Sequence, residues 1–164
     1  MKKQDSIVKG DLDELDLQIL KFLNEDSRIP FTNIAKKLKV PDTTVHFRVK
    51  KLRESGVIKK FSIIVPPEQL GYNVISWVLL KVVGHIVAEI SIKRLHEITN
   101  YLSKLENVKF IANTSENSIC AIILAKEESE MEQILSELDH NPDIGELSVS
   151  RITKIIKGEG FTSI

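Results

Sequence analysis

The chain has 164 residues, of which 42% are hydrophobic, and 23 basic residues balance 23 acidic ones. This length fits one domain or two small ones, and the hydrophobic fraction excludes a disordered chain. The single cysteine, Cys120, excludes an intramolecular disulfide, and no apolar run is long enough for a transmembrane helix. No apolar stretch of a signal peptide follows the basic start, so we expect a cytoplasmic protein without membrane contact.

The charge is divided unevenly along this neutral chain. Residues 1–65 carry a net charge of +5, from 14 basic and 9 acidic side chains, and residues 66–164 carry −5, from 9 and 14. Nine of the basic residues lie within 36–60, beside only two acidic ones. Such an asymmetry predicts that the first part of the chain meets a polyanion and the second part does not.

Two short helices are predicted at the start of the chain. The first spans about 12–24, with Asp11 or Asp13 as its N-cap and Asp16 in its first turn, where acidic groups suit the helix dipole. Its apolar residues recur at helical spacing, at Leu12, Leu15, Ile19, Phe22 and Leu23. The second spans about 31–38 and begins after Pro30.

A third helix is predicted over about 42–55. It follows Pro41, so Asp42 is the expected cap, and it ends before Gly56. Three short helices with a tight turn between the second and third form a helix-turn-helix. The β-rich run 57–65 predicts a strand after the third helix, so residues 1–65 are expected to form a winged helix-turn-helix domain.

The second half alternates strand and helix patterns. Residues 66–73, with two prolines and Gly71, are interpreted as a hinge. Residues 74–164 then follow the order βαββαβ of a ferredoxin-like domain, so the expected fold class is α+β. The first helix of this part is expected to bury Ile92, Leu95, Ile98 or Thr99, and Leu102, and the second Met131, Ile134, Leu135 and Leu138.

The predicted strands of this half are apolar on both faces. In the first strand Ile75, Trp77, Leu79 and Val83 point one way, and Val78, Leu80 and Val82 point the other. Two helices cover only one face of a four-stranded sheet, and soluble monomers avoid a large exposed apolar patch. This pattern therefore predicts a homodimer.

The start of the third helix carries the candidate DNA-reading residues. In a helix-turn-helix this helix enters the major groove, and its first residues contact base edges. Here these residues are Thr43, Thr44, His46 and Phe47, with Lys50 one turn later. The nearby cations are expected to contact phosphates or to stabilise the fold; they are Arg48, Lys51, Arg53, Lys59 and Lys60.

A set of residues spread along the first part of the chain forms a recognisable pattern: Leu12-Asp13, Asp16, Ile19-Leu20, Arg28, Ala35, the segment "RVKKL" (48–52) and "ESGVI" (54–58). With these residues in place, nearly the whole chain resembles the Lrp/AsnC (feast/famine) family of transcription regulators. This resemblance implies a DNA-binding regulator that needs no cofactor, with a regulatory domain that dimerises and assembles further, into a tetramer or octamer. It also implies an effector, usually an amino acid, bound between subunits of that domain.

The sequence departs from the family pattern in the loop between the second and third strands of the second half. Similar proteins have Gly-Asp-aromatic-Asp there, and this chain has Thr114, Ser115, Glu116 and Asn117. These four residues are the candidate effector-binding positions, or they form a plain polar hairpin. In the second case the C-terminal domain serves assembly only.

Two other classes of protein are the alternatives to a DNA-binding regulator. The first is a small-molecule sensor or assembly module whose helix-turn-helix contacts protein, which the basic segment disfavours. The second is an enzyme. The sequence contains no nucleophile–base pair, metal-ligand cluster or phosphate-binding loop, so neither a catalytic site nor a metal site is expected.

Overall fold

The computed structural model describes residues 12–115 and 117–158, which form two compact units. The first unit extends to Ile63 and the second begins at Ile64. The first is helical, and the second is built on a four-stranded sheet.

The first unit begins with helix α1, Glu14–Glu25, whose start is fixed by a reciprocal cap. The backbone N–H of Asp16 donates to the Asp13 carboxylate at 2.9 Å, and the N–H of Asp13 donates to the Asp16 carboxylate at 3.3 Å. The two bonds satisfy two donors that have no partner within the helix. Asp13 is therefore the cap, and the other candidate, Asp11, lies outside the described residues.

Helices α2, Phe31–Leu38, and α3, Asp42–Glu54, complete the helix-turn-helix, as predicted. Lys39 makes the turn between them in the left-handed region, with φ 55°. Val40 packs from this turn against the core. That core consists of Ile19, Leu23, Ile34, Ala35, Val45 and Val49.

Two local expectations for this unit are wrong. Asp42 does not cap α3, because Pro41 occupies the N-cap position and no side chain bonds to the first turn. The predicted strand over 57–65 is absent, and the chain has no regular secondary structure there. A strand needs a neighbour for its backbone groups, and the described part of this unit contains no other strand. Over the described residues of this unit, the fold is a helix-turn-helix without a paired wing.

Gly56 ends α3 in a conformation that favours glycine, with φ +78° and its N–H bonded to the Arg53 carbonyl at 3.0 Å. We expect Gly56→Ala to lower the free energy of unfolding by about 1–2 kcal/mol, the cost of a left-handed alanine. Urea unfolding followed by circular dichroism measures it. Gly84→Ala is the matched control, since neither added methyl meets an atom within 4 Å and Gly84 has no left-handed φ. Equal losses in both variants would contradict the conformational explanation.

The second unit is a four-stranded antiparallel sheet with two helices, in the predicted order βαββαβ. The strands lie side by side in the order β2-β3-β1-β4. A short 3-10 helix, Pro67–Leu70, precedes them. The elements are β1 Val74–Val82, α4 Ala88–Leu102, β2 Val108–Thr114, β3 Ser118–Ala125, α5 Glu128–Asp139 and β4 Ile144–Arg151.

Helices α4 and α5 cover one face of this sheet. Val78, Leu80 and Ile123 are fully buried there, together with Leu102 and Met131 from the helices. The prediction that Ile92 belongs to the core is wrong, because this residue is 62% exposed. The neighbouring Ser91 is buried instead and accepts a hydrogen bond from the backbone N–H of His85 at 2.8 Å. The buried stripe of α4 thus begins at Ser91 and continues through Ile98 and Leu102, and Ile92 lies outside it.

Candidate nucleic-acid interface

Helix α3 presents one face to the core and the other to solvent. Its buried residues are Val45, Val49 and Leu52. Thr43, His46, Phe47 and Lys50 are exposed, and Thr44 is half-buried. Phe47 is 67% exposed, which is unusual for a large apolar side chain unless the surface has a partner. The five residues predicted to read bases thus lie along the early turns of one helix.

His46 is held by two neighbours at the start of this surface. Its ring lies edge-on to Phe31 of α2, with ring centroids 4.8 Å apart and planes at 73°. Its Nε2 atom is 3.7 Å from the Asp42 carboxylate, one turn earlier in α3. The sequence suggested neither contact, although the i,i+4 spacing of Asp42 and His46 is a visible signal for the second.

An open groove borders the exposed face of α3. It is lined by aromatic and basic side chains, among them Phe31, Phe47, Lys50, Arg53, Lys59 and Phe61. The Arg53 guanidinium lies over the Phe61 ring, 6.0 Å from its centroid. Phe61 thereby places part of the segment after α3 on this surface. The sequence reasoning missed this contact because it treated the segment as a strand.

The remaining cations are available to solvent. Lys51, Arg53, Lys59 and Lys60 are exposed, and no carboxylate of the described chain lies within ion-pair distance of them. Lys50 pairs with Glu54 at 3.8 Å, but both side chains are largely exposed, so the pair stabilises the helix very little. The arrangement concentrates uncompensated positive charge beside the exposed face of α3.

Arg48 is the exception, because its side chain turns inward and joins α3 to α1. Its guanidinium donates to the carboxylate of Asp13 and, at 3.2 Å, to that of Asp16. The Asp16 side chain is only 4% exposed. Of the two roles expected for Arg48, this geometry favours stabilising the fold.

The same contacts lower the pKa of one carboxyl group. The backbone N–H of Asp16 and then the Arg48 guanidinium hold the pKa of Asp13 below its ordinary value. In return, the Asp13 carboxylate raises the pKa of Arg48. Both shifts favour the charged forms, so the pair is present at neutral pH.

The second unit has a different surface, the face of the sheet that the helices leave uncovered. Trp77 and Leu79 of β1 are each 40% exposed there. The Trp77 ring stacks on Phe110 of β2, with centroids 6.3 Å apart. Ile122 of β3 pairs with Trp77 on one side and with Phe110 on the other, so it lies between these two residues. We name this set of four residues the open sheet face. Cys120 is a buried neighbour on the same strand face.

The loop proposed for effector binding is a short hairpin turn between β2 and β3. The Thr114 hydroxyl contacts the carbonyls of Ser115 and Ser118, each at 3.2 Å. Asn117 makes the turn with φ 55°, and its carbonyl accepts from the Val82 N–H at 2.9 Å. Glu116 lies outside the described residues. In one protomer these groups bond locally, so their role toward an effector stays a prediction.

Within the described residues, 12–115 and 117–158, no group of His, Cys, Asp and Glu side chains is arranged to hold a metal ion. The helices of this part of the chain are too short or too polar to cross a membrane.

Family models match both units. The AsnC-type helix-turn-helix domain matches residues 12–53, and the PF0864 C-terminal dimeric alpha+beta barrel domain matches residues 72–164. The HTH-type transcriptional regulator PF0864 of Pyrococcus furiosus is 33% identical over 152 residues, which are 92% of this chain and 93% of that protein. The HTH-type transcriptional regulator FL11 of Pyrococcus abyssi is 34% identical over 133 residues, 81% of this chain and 83% of that protein.

Solved structures give the same result. The structure of PF0864 covers 92% of this chain and 96% of its own, with a TM-score of 0.79 at 33% identity. The Neisseria meningitidis regulator NMB0573, solved as a complex with L-Met, covers 90% and 93% with a TM-score of 0.78. Its identity to this chain is 16%, so this second likeness concerns the fold alone.

A helix-turn-helix with a basic exposed face, joined to a separate α+β unit, is typical of DNA-binding transcription regulators. The chain belongs to the Lrp/AsnC family of HTH-type transcriptional regulators. The resemblance seen in the sequence is thereby confirmed, together with the α+β fold class. The family consists of regulators rather than enzymes.

Proposed function

We propose that this regulator binds a pseudo-palindromic DNA site as a homodimer, with α3 of each subunit in the major groove. The observation that carries the proposal is the exposed face of α3, where Thr43, His46, Phe47 and Lys50 lie together. Threonine and histidine can hydrogen-bond base edges, and a phenyl ring can contact the thymine methyl group. Lys51, Arg53, Lys59 and Lys60 would contact phosphates, which supplies affinity without sequence choice.

Selection of genomic DNA fragments with the purified protein tests this proposal. A dimer of helix-turn-helix units predicts two half-sites about 10 bp apart, or a multiple of that distance. The selected site should also bind less tightly as salt rises, because binding releases counterions from the phosphates. Recovery of no motif at low salt would contradict the proposal and leave a helix-turn-helix that contacts protein.

The open sheet face supports the homodimer. Its Trp77, Leu79 and Phe110 side chains are apolar and partly exposed in one protomer, and a second copy would remove them from water. The matched domain family is itself described as dimeric. Assembly beyond a dimer, into a tetramer or octamer, stays a prediction from the family resemblance.

Replacing Trp77 with alanine is expected to weaken dimerisation by about 30-fold, since a central interface tryptophan typically contributes about 2 kcal/mol or more. Sedimentation equilibrium over a range of protein concentrations measures the dissociation constant. Tyr101→Ala is the matched control, because Tyr101 is 43% exposed on α4, and Trp77 is 40% exposed on the sheet. The two variants should differ, and an unchanged dissociation constant for Trp77→Ala would place the interface elsewhere.

The more specific part of the proposal is that an amino acid acts as an effector of this regulator. The relative from Neisseria meningitidis binds L-Met, and the family resemblance directs attention to Thr114, Ser115, Glu116 and Asn117. Repeating the DNA-binding assay with each amino acid at millimolar concentration tests the effector. A response to one of them supports ligand control. Indifference to all of them supports the alternative, in which the C-terminal domain serves assembly only.

A further inference from the structure

An acidic side chain lies on the exposed face of α3, among the residues that are proposed to contact bases. Asp42 is the first residue of this helix, and the i,i+4 spacing places it on one line with His46 and Lys50. Its side chain is 46% exposed. A carboxylate repels phosphate groups, so Asp42 weakens the general attraction of this surface for the DNA backbone. A favourable contact of Asp42 with DNA has to come from the base edges instead.

The Asp42 carboxylate and the His46 imidazole lie side by side, and both can bond to a third group. Within residues 12–115 and 117–158 no hydrogen bond uses the Asp42 carboxylate, and no side chain caps the first turn of α3. The carboxylate is 3.7 Å from His46 Nε2, which is longer than a hydrogen bond. Phe31 of α2 contacts the imidazole ring edge-on, with ring centroids 4.8 Å apart, and limits its rotation. An acceptor and a group that can donate thus stand together at the start of α3.

This pair of side chains complements the major-groove edge of a C·G base pair. The cytosine N4 amino group is a donor there, and the guanine O6 beside it is an acceptor. These two atoms are hydrogen-bonded across the base pair and so lie about 2.9 Å apart. The two protein groups are 3.7 Å apart, so a carboxylate on N4 and an imidazole on O6 fit the same edge.

The other bases suit the Asp42 carboxylate less well. Guanine and thymine present acceptors in the major groove, which repel a carboxylate. Adenine has an amino group, but its N6 lies between two acceptors, adenine N7 and thymine O4. Cytosine presents its amino group with an acceptor on one side only. The carboxylate therefore favours cytosine.

We propose that Asp42 is a specificity-determining residue, which accepts a hydrogen bond from the N4 amino group of one cytosine in each half-site. His46 donates to the guanine of the same base pair. This proposal rests on the DNA-binding function proposed above and adds the identity of one base pair to it. Because Asp42 repels both phosphates and acceptor-rich base edges, it raises the ratio of specific to non-specific binding.

Parallel selection from randomised DNA with the full-length wild type and with Asp42→Asn tests the proposal. Asparagine has the same shape, but its amide pairs best with adenine, through N6 and N7. We expect one position of each half-site to change from cytosine to adenine while the other positions stay the same. Fluorescence anisotropy should show that Asp42→Asn binds the wild-type site about tenfold more weakly, as expected for one mismatched base pair. Its binding to unrelated DNA should become tighter, because a negative charge is gone.

Asp26→Asn is the matched control for the loss of charge. Asp26 is an exposed residue of the same unit, and its carboxylate accepts from the Arg28 N–H at 2.9 Å, which an asparagine carbonyl can also do. This variant should select the wild-type site. Asp42 is exposed and caps nothing, so Asp42→Asn should fold, which circular dichroism checks.

A modified base tests the contact itself. N4-methylcytosine keeps its pairing with guanine, but a methyl group replaces the amino hydrogen that is exposed in the major groove. At the assigned position this base should weaken wild-type binding about tenfold, the cost of one lost base contact. The same base should have little effect on Asp42→Ala, because that variant has already lost the acceptor. Equal losses in the two proteins would overturn the contact.

The outcomes separate this inference from the proposed function. If the wild type and Asp42→Asn select the same site, Asp42 is only an acid that suits the start of a helix, and the DNA-binding proposal stands. A selected site in which no cytosine responds to Asp42→Asn would have the same meaning. If the wild type selects no site at all, both proposals are wrong. A change from cytosine to adenine in Asp42→Asn, absent from Asp26→Asn, would support both.

Discussion

Replacing Lys50 with alanine is expected to weaken binding to the selected DNA site by about 5- to 150-fold, which corresponds to about 1–3 kcal/mol for a contact to a base edge. Lys50 lies one turn after the first residues of α3, on the same exposed face as His46 and Phe47. Binding to unrelated DNA should fall much less, because a base contact contributes mainly to sequence choice. Fluorescence anisotropy with both DNA fragments at one fixed salt concentration measures the difference.

The chain provides a close control in Lys93→Ala. Lys50 pairs with Glu54 and Lys93 pairs with Glu97, both at 3.8 Å, and the two lysine side chains are 73% and 77% exposed. Both substitutions remove one positive charge and one exposed i,i+4 pair from a helix. A similar loss of DNA affinity in the two variants would mean that Lys50 acts through net charge alone.

Replacing Arg48 with methionine is expected to destabilise the helix-turn-helix unit by about 2–3 kcal/mol. The substitution leaves the buried Asp16 carboxylate without its cation, and removal of one partner of a buried pair is costly. The value lies below the roughly 3–5 kcal/mol of a fully buried pair because Arg48 is itself 26% exposed. Urea unfolding followed by circular dichroism, in the absence of DNA, measures the loss and separates it from any effect on DNA contacts.

Lys51→Met is the control for Arg48→Met, since Lys51 is exposed on the same helix and has no carboxylate partner in the described chain. The fluorescence of Trp77, the single tryptophan, reports on the second unit and should change little in either variant. Asp16→Asn combined with Arg48→Met should recover part of the stability, because the buried charge is then gone. An unfolding curve unchanged by Arg48→Met would disprove the structural role of this residue.

The dependence on pH follows from the pKa of Asp13, which is lowered in the folded protein. A lowered pKa stabilises the fold above the unfolded value of about 3.9, and the contribution disappears as the pH falls through the folded value. Stability of the helical unit should therefore decline below about pH 4. The decline should be shallower in Arg48→Met, because one of the two interactions that lower the pKa is missing.

The sequence predicts the structure best where a single periodic pattern of apolar residues matches a single buried face. The apolar spacing of α2 and α3 has a single arrangement that buries it, so the positions of these two helices follow from the residues. Ile92 shows the limit of this reasoning. It matches the helical spacing, but Ser91, one position earlier, is buried instead and bonds to the backbone of His85, a contact that no local pattern encodes.

The sequence indicated which residues belong to the candidate DNA interface. It indicated the role of each of these residues less well. Five cations close together in sequence look equivalent, but Arg48 lies on the side of α3 that faces α1. The signal was present in the spacing of Asp13 and Asp16 on the first helix, yet only the packing of the two helices brings them to Arg48. The prediction of a strand over 57–65 was wrong for a related reason. High β-propensity does not supply the partner strand that a strand needs.

The buried position of Asp16 beneath Arg48 also has a practical consequence. Salt screens exposed charges strongly and partly buried pairs much less, whereas phosphate contacts weaken steeply as salt rises. A salt wash that strips the protein from an immobilised operator should therefore leave the link between α1 and α3 closed. The regulator should leave the column folded and bind again after simple dilution, with no refolding step.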